Sequence, residues 1–116
     1  MNTRSVGNSG EEAAVLFIEQ LGWQVVGRNL HYRFGEIDIL ATNGTHMIVI
    51  EVKAKKSSMY GEAVEMVTRS KQATLRKLAK VVEAEYNKPV RIDVITLDNF
   101  ATSQASVTHY PFAIGE

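Results

Sequence analysis

Asp38, Glu51 and Lys53 are the residues of this chain whose types and spacing could do chemistry. They lie in GEIDILATNGTHMIVIEVKAK, residues 35–55, on either side of Asn43-Gly44. That dipeptide is the strongest short signal for a two-residue hairpin turn, and the runs flanking it read as strands. Such a turn sets Thr42 against Thr45 and, by extension, Asp38 against Val49 and Glu36 against Glu51. Because side chains alternate along a strand, Glu36, Asp38 and Leu40 then share a face with Val49, Glu51 and Lys53. Diagonal neighbours such as Asp38 and Glu51 have α-carbons ~7–8 Å apart, so both carboxylates reach one cation. A slip of one residue would send them to opposite faces.

Two carboxylates ~5 Å apart at an effective dielectric of ~20 repel by roughly 3 kcal/mol. A cation, Lys53 or an added proton would relieve that repulsion. A divalent cation also supplies chemistry: held by Asp38, Glu51 and the Val52 carbonyl, it acidifies bound water and offsets charge on a phosphate. Lys53 would orient the attacking water or stabilise the developing negative charge. The plain alternative is an ordinary ion pair of Lys53 with Glu36 or Glu51 on a half-exposed sheet. The chain has no cysteine and only three scattered histidines, His31, His46 and His109. Any metal therefore takes oxygen ligands, which points to Mg2+ or Mn2+.

Elements that must position these groups follow from periodicity. Residues 1–9 read as a flexible N-terminal arm, and residues 10–116 as one domain. Ser9 followed by Glu12 resembles a capping box for a helix starting near Gly10, with Ala14, Phe17, Ile18 and Leu21 at helical spacing and Gly22 closing it. Residues 23–30, 35–42 and 46–55 read as strands, 56–61 as a loop and 63–87 as a helix ended by Asn87-Lys88-Pro89. Residues 90–98 form a further strand, and 106–114 an edge strand or tail. The order predicts a mixed sheet flanked by helices. Glu11 falls inside the apolar stripe of the first helix, so it needs a partner. It either holds a metal-bound water or favours the helix dipole.

The 116 residues suffice for one core, and no apolar run is long enough to span a bilayer. The polar start, MNTRSVGNSG, lacks the apolar stretch of an export signal, so a cytoplasmic location is expected. Zero net charge hides a basic middle: residues 51–80 carry 8 Lys/Arg against 3 Asp/Glu. Local fields steer polyanions, so nucleic acid is the expected partner and a membrane is not. Arg69 and Lys71, ahead of the apolar stripe of the second helix, could contact backbone phosphates, and Gln72 could hydrogen-bond near the metal. Arg76, Lys77 and Lys80 face solvent in this reading. Arg91 and Asp93 read as surface or edge residues, and His109 and Tyr110 as structural ones.

GEIDIL, VIEVKAK, YGEAVEMVTRSKQ and RIDVI, preceded by GEEAAVLFIEQLGW, together resemble the uncharacterised bacterial YraN family from about residue 10 to 114. That family is similar in turn to the PD-(D/E)xK nucleases, Holliday-junction resolvases among them. The resemblance implies a restriction endonuclease-like αβββαβ core and a DNA endonuclease, possible on branched or junction DNA. Carried over by position, Asp38 and Glu51 would be the metal-binding acids, Lys53 the catalytic lysine and Glu11 the helix-borne acid. Ile37 stands where the superfamily has proline, and Lys55 where the family has arginine, which bears on phosphate contact. Resolvases act as dimers, so a homodimer is expected by analogy. The alternative is a nucleic-acid-binding module of the same fold that does not cut.

Overall fold

A computed structural model describes residues 3–55, 66–99, 103 and 105–115, with side chains from residue 10 onward. Helix α1 (Thr3–Gln20) leads into strands β1 (Gln24–Tyr32), β2 (Gly35–Thr42) and β3 (Met47–Lys55). Helix α2 (Arg69–Tyr86) then crosses to β4 (Val90–Asp98), and β5 (Ser106–Ile114) closes the chain. The five strands lie in sequence order in one sheet. Only β3 and β4 pair in parallel, as the intervening helix permits, and the other neighbours are antiparallel. This α/β architecture is the one expected, compatible with an αβββαβ endonuclease-like core.

The two helices cover opposite faces. Ala14, Val15 and Ile18 of α1 pack on Ile39, Ala41, Ile48, Ile50, Ile95 and Leu97. Leu75, Leu78, Ala79 and Val82 of α2 pack on Leu40, Met47, Val49, Ile92 and Val94. Both faces of β3 are therefore dry, which is why MIVI reads as an unbroken apolar run instead of an alternation.

Two helix starts differ from expectation. Helix α1 begins at Thr3, so Ser9 lies inside it and not at its start; a glycine within a helix costs only ~1 kcal/mol, which packing of the later turns offsets. Helix α2 begins at Arg69 because the Thr68 side chain accepts from the Lys71 N–H and fixes the cap. The loop expected at 56–61 and helical positions 63–65 lie outside the described residues. At the other end, Asn87 adopts a left-handed conformation and its N–H bonds to the Glu83 carbonyl, ahead of Pro89.

The hairpin is the main correction. Pairing of β2 with β3 ends at Thr42↔Met47, leaving a four-residue connection, 43–46, instead of a two-residue turn. Asn43 drives this, its Oδ1 accepting from the Thr45 N–H, the Thr45 hydroxyl and the His46 N–H at 2.9–3.0 Å. The register moves by two residues. An even shift keeps Leu40 and Val49 on one shared face, as expected, whereas Ile37 joins them there and breaks the alternation that was to place Glu36 beside Leu40.

Candidate metal and phosphate site

Continuing the pairing Ile39↔Ile50 by one step sets Asp38 directly opposite Glu51, closer than the diagonal arrangement expected. The pairing itself stops there because Asp38 takes over: its Oδ2 accepts from the Val52 N–H at 2.9 Å. Val49 belongs to the α2 face, so Glu51 and Lys53 point to that side by alternation, and Asp38 meets that strand through its bond to the Val52 N–H. Val52 packs its side chain on the α1 face.

Glu51 is 4% exposed, and its Oε1 is buried without a hydrogen-bond partner. Its Oε2 lies 3.8 Å from Lys71 Nζ, a side chain from the first turn of α2. Burial pushes the Glu51 carboxyl up to about 7, the facing Asp38 carboxylate adds to the rise, and Lys71 and Lys53 oppose it. The charged form is destabilised more by dry surroundings than it is helped by two lysines. A buried, unpartnered carboxylate oxygen beside a second carboxylate suits a hard divalent cation, so the donor set fits Mg2+ or Mn2+. Among the described residues, no three Asp, Glu, His or Cys side chains gather to hold a metal. Asp38 and Glu51 are, among the described residues, the two carboxylates that face each other there.

The remaining expected residues are spread more widely. Lys53 and Lys55 are half-buried on β3, and the Lys55 carbonyl accepts from the Asn99 N–H at 3.0 Å. Arg69 is exposed at the start of α2. Gln72 Nε2 donates to the Val67 carbonyl at 2.9 Å, bracing the chain that leads into the helix. Lys71 reaches toward Glu51 from the first turn of α2, and a third of its side chain stays exposed. The Glu11 Oε1 accepts from Asn29 Nδ2 at 2.9 Å and lies 3.3 Å from Arg28 Nη2. With α1 starting at Thr3, Glu11 is two turns from the helix end, too deep for the dipole to explain it.

Sequence reading missed a second polar centre. Asp93 is fully buried, not at the surface or an edge as expected. Its Oδ1 accepts from Arg91 Nε at 3.1 Å and from the Phe112 N–H at 3.0 Å, and its Oδ2 meets Arg91 Nη2 at 3.1 Å and His109 Nε2 at 2.7 Å. Arg91 is stacked between Trp23 and Phe112, its Cζ 4.9 and 4.5 Å from the ring centres. Asp93 alternates with Ile92 and Val94, so it faces α1, away from Glu51. Its acid sits among apolar residues in VRIDVITL, which was the available signal. Arg76, expected to face solvent, bonds through Nε to the Gly115 carbonyl at 2.7 Å and ties down the C-terminal strand.

Residues 10–97 match the model of the "Uncharacterised protein family UPF0102". A UPF0102 protein of Caldicellulosiruptor saccharolyticus is 40% identical, covering 69% of this chain and 68% of its own length. One from Symbiobacterium thermophilum is 36% identical over 83% of this chain and 84% of that protein. A relative in Mycolicibacterium vanbaalenii is also 36% identical, over 90% and 88% respectively. None of these names states an activity.

Proposed function

The chain belongs to the UPF0102 family, and from its paired acids we propose a divalent-metal-dependent endonuclease that hydrolyses DNA phosphodiester bonds. One observation carries the reading: the buried, unpartnered Glu51 Oε1 opposite Asp38, with Lys53 on the same face. A buried carboxylate oxygen without a hydrogen-bond partner is costly, and such costs are retained where function needs them. Asp38, Glu51 and the Val52 carbonyl would hold Mg2+ or Mn2+. When bound, that ion acidifies water and neutralises phosphate charge. Lys53 orients the nucleophile or meets negative charge as it develops, Lys55 and Arg69 hold flanking phosphates, and Gln72 steadies the helix start beside them.

A panel of linear, single-stranded and branched DNAs incubated with Mn2+ tests this. Wild-type protein should cut at least one of them, and the Asp38→Ala and Lys53→Ala proteins, folded by circular dichroism, should cut none. Equal activity in wild type and Asp38→Ala would remove the reading.

The second reading, a nucleic-acid-binding module without cleavage, draws on Lys71. Its ammonium lies 3.8 Å from Glu51 Oε2 and offsets part of the charge that a cation would otherwise meet. That module would bind DNA with a log affinity falling by ~0.9 per phosphate contacted on a log-salt scale, and would give no metal-dependent product.

A further inference from the structure

The two strands that flank Asp38 turn over together at one place. Arg28↔Ile39 and Leu30↔Ile37 are paired with no shift between them, so Asn29 stands opposite Asp38. Regular alternation would put Ile37 with Ile39 and Leu30 with Arg28. Instead Ile37 and Leu30 pack on the α2 side, whereas Ile39 packs on the α1 side and Arg28 reaches Glu11 and Glu12 of α1. The backbone cause is at Asn29, whose φ is 50° in mid-strand, a left-handed value that asparagine tolerates better than most residues. Its side chain is tied to α1 through the 2.9 Å bond from Nδ2 to Glu11 Oε1. Consecutive residues Arg28 and Asn29 therefore both reach the same helix, which an extended strand forbids.

We infer that Asn29, anchored by Glu11, is the positioning residue that turns β2 at Asp38 and aims its carboxylate at the Val52 N–H and Glu51. Glu11 thus acts through β1, as the tether of this turn. The inference rests on Asp38 being the working carboxylate, but its test does not need activity.

Amide hydrogen exchange at Val52 reads the Asp38 bond directly, and exchange at Leu97 in β4 serves as the control. Asn29→Val, whose branched side chain resists a left-handed φ, should accelerate Val52 about tenfold and leave Leu97 unchanged. Asn29→Gly keeps the turn accessible and should stay within about threefold of wild type at Val52. Should Asn29→Val fail to fold, Glu11→Ala takes its place, with the same selective acceleration expected. Unchanged exchange at Val52 in the folded Asn29→Val protein, or in Glu11→Ala if Asn29→Val does not fold, overturns the inference, as does equal acceleration at Val52 and Leu97. If wild-type protein binds no Mn2+ and cuts nothing, the nuclease reading falls while this exchange pattern still decides the role of Asn29.

Discussion

The Val52 N–H donates to Asp38 Oδ2 at 2.9 Å, so the residue after Glu51 is fastened to the acid that faces it. One carboxylate oxygen of Asp38 is thereby fixed in place by the main chain. Preorganisation of this kind would spare a metal site the cost of assembling its ligands.

Glu51 makes stability depend on pH in an unusual direction. Its folded-state pKa is raised from 4.5 to about 7. Folded protein then holds a proton that unfolded protein has released between those values, so the contribution is present below pH 4.5 and is lost as pH rises through 7. The full swing is up to about 3 kcal/mol. Denaturant melts at pH 5 and pH 8 should show wild type losing stability that Glu51→Gln keeps. A pH-independent difference between the two proteins would refute the assignment.

Metal binding should run against the same proton. Calorimetric titration with Mn2+ should show tighter binding at pH 8 than at pH 6, by about tenfold, with proton release on binding. Asp38→Asn should lose most of the affinity at both values. Equal heats and equal affinity at the two pH values would count against Asp38 and Glu51 as ligands.

Lys71 is expected to matter for the acid it touches. Lys71→Met leaves Glu51 with Lys53 as its remaining basic neighbour and should lower stability at pH 8 by about 1 kcal/mol, with little effect at pH 5 where Glu51 carries its proton. Equal losses at both pH values would mean that the side chain acts through packing alone.

Asp93 anchors the opposite face. Asp93→Ala strips a buried partner from Arg91, His109 and the Phe112 N–H, and should cost about 3–5 kcal/mol in thermal or denaturant melts. A loss under 1 kcal/mol would show that water replaces the carboxylate cheaply.

Much of this protein was legible from its residues in order. Apolar periodicity gave the strands and helices, and the even spacing of Val49, Glu51 and Lys53 fixed which side of the sheet they share with Leu40. That reading survived a wrong turn, because a register error of two residues preserves side-chain parity. What the residues in order could not give was which partners lie across the fold. The four-residue connection depends on three hydrogen bonds to Asn43, the burial of Asp93 depends on β5 returning beside β4, and the tie of Glu11 to Asn29 depends on how α1 lies over β1. Local spacing is written into the chain, whereas contacts between distant segments exist only once the packed layers bring them within hydrogen-bond reach.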